Sequence, residues 1–353
     1  MKTYINGIGC VSAQQTFEGD FASAFVVNET VNVLPIVAPP YKDYFSPIAA
    51  RRMSKAVKNG IVASTIAINE AKLEMPGAII TGTGMGCIED SDKFLKAIID
   101  NDEEFLTPTS FIQSTHNTVA AQIALGLQCK AYNFTYVNAA VSFESALLDA
   151  KLQIEEGDAN SVLIGGIDEM TEYTASLFKL AGFIKKGSEN TFPMLNSDTA
   201  GTVFGEGAAF FVLENQKSDS TYAEVNDVEI NNEISAEVLQ LKVFDFLAAN
   251  GLAVADIDLL ITGTNGDANF SQYDNELTQK QFADTPQAYY KHLSGEYNTA
   301  SAFGLYVGAN IIRLQQIPTI LKSNDLTKSK YNNILLYNQY RGLDHSFTLI
   351  SKA

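Results

Sequence analysis

Tyr132-Asn133-Phe134-Thr135-Tyr136-Val137-Asn138-Ala139-Ala140-Val141-Ser142-Phe143 reads as a strand that runs through a tight corner into a helix. Phe134 to Val137 favours β structure. Past the small residues of the corner, Phe143, Leu147, Ala150 and Ile154 recur at helical spacing, which gives the next segment one apolar face. Strand, tight turn and helix together present a nucleophile well, because the turn exposes a side chain beside the positive N-terminus of the helix. Here the corner offers alanine. The frame of an active site is expected without its reactive atom.

Upstream, residues 3–10 read as a strand entering Gly7-Ile8-Gly9. Residues 54–73 read as a helix with Val57, Ile61, Ser64 and Ile68 on one face, closed by Pro76-Gly77. Ala78 to Thr81 is a short buried strand leading into Gly82-Thr83-Gly84-Met85-Gly86. That run lacks the Lys-Ser/Thr of a P-loop and the full dinucleotide spacing, so it reads as a close turn. An acidic helix over 87–104 and a polar, aromatic loop over 106–117 precede a helix through Ile123 and Leu125.

Downstream, Ser161 to Ile164 is a strand ending in Gly165-Gly166-Ile167-Asp168-Glu169, 185–200 is a loop, and Ala208 to Leu213 is a strongly apolar strand. A polar run at 214–221 marks a linker or a sheet edge. The pattern then recurs: a helix over 235–249 with Asn250-Gly251 as its cap, and a strand Leu259 to Thr262 entering Gly263-Thr264-Asn265-Gly266. An apolar helix over 299–314 and strands at Ile334 to Tyr337 and Phe347 to Ile350 complete the chain. Short buried strands alternating with helices predict an α/β protein. Strand-turn-helix units in both parts predict an internal duplication, divided into 1–215 and 216–353.

The 353 residues are 46% hydrophobic and 18% charged, with a formal net charge of -17. That is enough chain for a large core. The acidity argues against nucleic acid, whose phosphates need neutralising. Three scattered cysteines, Cys10, Cys87 and Cys129, form no Cys-x-x-Cys pair, so a reducing cytoplasm is expected and a disulfide framework or zinc site is not. No clustered carboxylates or His-x-x-x-His spacing suggest a metal. The start has no long apolar stretch, and no run reaches the length of a membrane span, so neither a signal peptide nor a membrane segment is expected. The main basic cluster, Arg51, Arg52, Lys55 and Lys58, is placed at a helix start and reads as a solvated face before a docking patch.

Taken together the segments resemble the β-ketoacyl synthase family of the thiolase fold. TYINGIGCVSA is similar to the family's first strand and glycine turn, and ARRMSKAVKNGIVASTIAINEAKL to its first long helix. LIGGIDE resembles its Gly-Gly turn, AGTVFGEGAAFFVLEN the segment closing its N-terminal half, and DIDLLITGTNG and KHLSGEYNTASAFG its two C-terminal active-site segments. The resemblance implies a thiolase-like α/β fold of two duplicated halves in α-β-α-β-α layers. It runs from end to end, with several motifs in order.

The family's cysteine nucleophile falls on Ala140. Its first histidine falls on Asn265, an assignment repeated by counting back from Glu276. Its second falls on Glu296, while its lysine is kept as Lys291. Its glycine gate is replaced by Asn338-Gln339-Tyr340-Arg341-Gly342-Leu343. Condensation needs a thiolate to hold the acyl chain and paired imidazoles to promote decarboxylation. A methyl, an amide and a carboxylate supply none of these. Cys10 and Cys87 read as small buried residues, and His116, His292 and His345 stand off the family's positions.

The resemblance therefore implies a non-catalytic subunit, like a chain-length factor, that pairs with an active β-ketoacyl synthase and shapes its acyl tunnel. The short chain and altered gate resemble factors of aryl-polyene and related pigment pathways, although better-known factors carry glutamine where Ala140 stands. Phe134, Tyr136 and Asn138 of the strand would meet the partner, and Phe111, Ile112, Thr115 and His116 would end the tunnel. For Phe111, plain core packing is the equal alternative. No cofactor is implied. Acyl carrier protein, usually acidic, would dock mainly on the partner. The alternative is an acyltransferase or thioester hydrolase of the same fold, working through Asn265, Glu296 and Lys291 without a covalent intermediate. In that case Glu296 would act as a base in an apolar cleft, and Ser142 would be the nearest substitute nucleophile, with no base beside it.

Overall fold

In the computed structural model, residues 1–28, 30–106, 108–186 and 194–353 are described. Ser54, whose side chain accepts from Val57 N, starts the long helix Lys55–Ala71, and Lys72, in the left-handed region, ends it. Among the described residues there are ten strands. They are β1 Tyr4–Val11, β2 Ala78–Gly82, β3 Tyr132–Tyr136, β4 Ser161–Asp168, β5 Gly207–Glu214, β6 Ala223–Asn232, β7 Leu259–Thr262, β8 Gln287–Tyr289, β9 Asn333–Tyr340 and β10 Asp344–Ser351. The helices are α1 Pro47–Ala50, α2 Lys55–Ala71, α3 Ile88–Asp100, α4 Pro108–Gln113, α5 Thr118–Leu127, α6 Ser142–Glu156, α7 Glu172–Leu180, α8 Ala236–Ala249, α9 Ser271–Asn275, α10 Lys291–Ser294 and α11 Ala300–Leu314.

The strands lie in the order β3-β2-β4-β5-β1-β6-β10-β9-β7-β8. The order of the first five, 3-2-4-5-1, recurs in the last five as 8-7-9-10-6. Among the described residues, the two sets pair as strands through Tyr4↔Glu224 and Ile5↔Ala223. Three apolar clusters define the layers. Phe143, Leu147, Ala150 and Ile154 of α6 and Phe303, Val307 and Ile311 of α11 form a central cluster with the inner faces of both strand sets. Val57, Ala63 and Ala67 of α2 and Val119 and Ile123 of α5 cover the outer face of the first set. Leu239, Val243 and Phe246 of α8 cover the outer face of the second. This is an α-β-α-β-α stack. The four apolar residues spaced along α6 are all buried.

Four local readings change. The stretch 106–117 holds the helix α4 where a loop was expected, and Thr107 lies outside the described residues. Gly165-Gly166 does not turn; both residues sit inside β4, paired with β2 and β5. A Cβ on Gly165 would lie 2.5 Å from the Phe210 ring, so glycine serves close packing there. Arg51 and Arg52 fall between α1 and α2, so the basic cluster straddles a turn instead of starting a helix. Strands β6 and β8 and helix α7 arise where none is expected. Of the 185–200 loop, 187–193 lies outside the described residues.

Candidate functional site

The corner after β3 is built as its sequence suggests. Ala139 has φ +43°, a left-handed conformation that costs an alanine about 1–2 kcal/mol. Ser142 holds the turn together: its Oγ accepts from Asn138 N at 2.8 Å and donates to Ala139 O at 2.7 Å. Ser142 is fully buried and both contacts are backbone, so it is a turn fastener and not a substitute nucleophile. Ala140 follows, 2% exposed, in a short 3-10 turn before α6.

Asn265, Lys291 and Glu296 come together in the interior. Asn265, just past β7, donates from Nδ2 to Glu296 Oε2 at 2.7 Å. Lys291, the first residue of α10, donates from Nζ to the same oxygen at 2.7 Å. Both charged side chains are almost wholly removed from solvent. The backbone places Glu296 through Gly295, at φ +72°, whose Cβ would sit 2.6 Å from Gly205 N. Glu296 N then donates to Val203 O, and Glu296 O accepts from Gly205 N. The expected lone carboxylate in an apolar cleft is thus replaced by an ion pair with an amide donor.

Two further carboxyls surround this group and were not singled out from the sequence. Glu144, on the first turn of α6, accepts from Ser346 Oγ at 2.7 Å. Burial pushes its carboxyl up, opposed by hydrogen bonding to Ser346 and Ser301 and, less, by the Lys291 charge. Asp274, on α9, is pushed up to about 7 by burial, opposed by Lys291 and by Thr264. Glu276, the counting anchor, instead pairs with Lys280 one turn on. Of these two acids, Asp274 on α9 is the one that feels Lys291. The available signal was an acid two residues before the anchor.

Asp168 ties the two strand sets together beside the site. Its Oδ1 accepts from Thr83 Oγ1, Gly84 N and Met85 N, and its Oδ2 accepts from Thr299 N and Oγ1. The Gly82–Gly86 run therefore wraps a carboxylate of the chain itself. Segment 338–343 consists of the end of β9 and a hairpin turn. Arg341 lies with its guanidinium 3.8 Å from the Phe183 ring centroid and 5.5 Å from that of Phe270. Such stacking fixes the turn that stands at the family's gate.

The remaining candidates separate. Cys10 and Cys87 are buried, and burial pushes both thiols up to about 12, so they are inert. His292 donates from Nε2 to Ile320 O at 2.8 Å and stacks on Tyr289; burial pushes it down to about 4. His345 contacts Tyr337 Oη through Nδ1 at 2.9 Å. Lys55 is held by Glu206 and by Met170 O, which removes it from any docking patch.

Of the expected interface residues, Phe134 and Tyr136 lie on β3 at one edge of the sheet. β3 ends the strand order, paired with β2 and unpaired on its other side among the described residues. Tyr132, Phe134 and Tyr136 stack along one face, with centroids 6.1 and 4.9 Å apart. Phe134 is 45% and Phe111 56% exposed. Ile112, Thr115, His116 and Asn138 are also exposed. The Phe111 ring lies tilted at 45° to that of Phe94 with centroids 5.3 Å apart, and with more than half its surface exposed it is not a core residue.

A buried corner before a central helix and two adjoining strand sets of equal order make a ketosynthase-type scaffold. Residues 37–219 match the family described as "Beta-ketoacyl synthase, N-terminal domain", and the chain belongs to the β-ketoacyl synthase family. A 3-oxoacyl-[acyl-carrier-protein] synthase 2 from Staphylococcus aureus (strain N315) is 24% identical over 190 residues, spanning 50% of this chain and 45% of that protein. One from Synechocystis is 26% identical over 183 residues, 48% and 43% of the two chains. The match thus spans less than half the length of these relatives. Among solved structures, the ishigamide ketosynthase/chain length factor superposes with TM-score 0.82 at 17% identity, covering 100% of this chain and 99% of that one. A ketosynthase in complex with its chain length factor from Xenorhabdus doucetiae gives 0.77 at 14%, covering 100% and 98%. At these identities the likeness is one of fold, and the fold is the thiolase-like one expected from the motifs.

Proposed function

We propose that this chain is a non-catalytic, chain-length-factor-like subunit that pairs with an active β-ketoacyl synthase and closes its acyl tunnel. The observation that carries the reading is the buried Lys291–Glu296–Asn265 group, whose Asn265 and Glu296 are the residues that the resemblance aligns with the family's two histidines. An ion pair sealed from solvent neither takes a proton from water nor stabilises an enolate oxygen. The chain has also kept a costly elbow with alanine in it. A scaffold held without its chemistry fits a role in shape and assembly.

The exposed edge supports the second half of the proposal. An unpaired strand with an aromatic ladder invites association unless a partner covers it. Pairing through β3 would continue the sheet into the partner and bring Phe111, Ile112, Thr115 and His116 against it. Two of the structural neighbours are named as a ketosynthase with a chain length factor, which agrees with this arrangement. The division into 1–215 and 216–353 belongs to the same proposal, as two structural repeats rather than separately acting domains. The carrier protein would dock mainly on the partner, given the net charge of -17 here.

The test is co-expression with a ketosynthase that keeps cysteine and two histidines. A stable one-to-one complex that condenses acyl units, with this chain inactive alone, is the expected result. A homodimer of this chain that turns over acyl thioesters by itself would sink the reading.

A further inference from the structure

At the C-terminal end of β7, a cavity of about 350 Å3 opens between α9 and residues 194–197. Crevices beyond the carboxyl ends of parallel strands are the usual ligand positions in α/β sheets. Thr262 and Thr264 form one wall, with their hydroxyls 2.8 Å apart. Asp267 and Asp274, both buried, add two carboxyls. No lysine or arginine is among the described lining residues.

Among the described residues, two buried polar atoms of this lining have no hydrogen-bond partner: Asp274 Oδ1 and Ser323 Oγ. Asp274 is 6% exposed. A buried carboxyl oxygen without a hydrogen bond is costly and calls for an explanation. The nearby cations do not supply one. Lys291 is committed to Glu296, and Lys185 is held by Ser197 Oγ, Thr199 Oγ1 and Gly266 O. Among the described residues, neither Asp267 nor Asp274 makes a salt bridge.

We propose that this cavity binds a small organic cation, a protonated amine of about diamine size, with Asp274 as its counter-charge and the hydroxyls of Thr262, Thr264 and Ser323 taking its remaining N–H groups. The wall is rich in acceptors, so the ligand must bring donors. A bare metal ion fits less well. A hard cation wants six to eight oxygens at about 2.3–2.6 Å, and among the described residues no three metal-ligating side chains converge to begin such a shell. An ammonium needs about three acceptors and leaves its carbon chain to fill the volume beside Met194 and Leu195. The proposal is independent of pairing with a ketosynthase.

The experiment is calorimetric titration of the full chain, at fixed ionic strength, with putrescine, ethanolamine and the neutral isostere butanediol. Saturable one-to-one binding of an amine is expected, without binding of the diol. Asp274→Asn should weaken it at least about tenfold, and exposed Asp219→Asn should not change it. Asp267→Asn, expected to weaken binding as well, keeps the test sharp should the first variant fold poorly. The proposal is overturned if no amine binds saturably, if the diol binds as well, or if the folded cavity variants bind like the parent chain.

Discussion

Lys291 Nζ lies 2.7 Å from Glu296 Oε2 in a site from which solvent is almost absent. Breaking one side of such a pair leaves a buried, uncompensated charge, whereas replacing both can be nearly neutral. Lys291→Met should therefore cost about 3–5 kcal/mol in denaturant unfolding. The double variant Lys291→Met/Glu296→Met should regain most of that, short of the donor that Asn265 Nδ2 then leaves unsatisfied. Additive losses in the two single variants would contradict the coupling.

Restoring the missing atom should not restore the reaction. In Ala140→Cys the thiol would return to the elbow, but Asn265 and Glu296 still supply no imidazole pair. General acid–base groups contribute about 10²–10⁴-fold, so condensation by the variant alone should stay at least a hundredfold below that of an active synthase. Acyl loading seen by mass spectrometry without product is compatible with this. Product formation at a comparable rate is not.

The edge of β3 should be where a partner is lost. Phe134→Asp places a charge in the exposed aromatic ladder without touching the core. The melting temperature should hardly move. The complex with the ketosynthase should weaken by about 2 kcal/mol or more, as for a central aromatic anchor. Unchanged co-purification would place the interface elsewhere.

Phe111 is half-exposed on α4, so trimming it removes little packing. In the complex, Phe111→Ala should lengthen the product by freeing volume at the tunnel end. Selection of this steric kind is worth about 1–3 kcal/mol per methylene-sized misfit, so a shifted product distribution is expected, and not an absolute switch. An identical distribution would remove Phe111 from the tunnel.

Asp274 should shape the pH dependence of stability. Its carboxyl is pushed up from 3.8 to about 7, so the folded state holds the proton more tightly than the unfolded one. Its contribution is fully present below about pH 4 and is lost as pH rises towards 7, at up to about 1.4 kcal/mol per unit. Glu169, also pushed up to about 7 by burial, acts in the same direction. His292, pushed down to about 4, acts in the opposite one, losing stability as pH falls below 6.5. The stability of the parent relative to Asp274→Asn should therefore decline between pH 4 and 7 in urea unfolding. A constant difference would show that Asp274 is ionised normally.

The sequence by itself determined the class of fold, the order of its motifs and the loss of the cysteine and both histidines. Those are local signals. Helical spacing put Phe143, Leu147, Ala150 and Ile154 on one buried face, and each degenerate position sits inside a recognisable segment. Only the tertiary structure decided what the substitutes do. Glu296 looked like a lone carboxylate because Asn265, far along the chain, reaches it only once β7 and α10 are packed side by side, while nearby Lys291 meets it through the bend at Gly295. Ser142 looked like a spare hydroxyl until its two backbone bonds were formed. Asp274 was hidden because its burial beside Lys291 arises only when α9 packs into the interior. The edge position of β3 depends on strand order, which is set by pairing between distant segments, and period and composition along one strand carry no record of it.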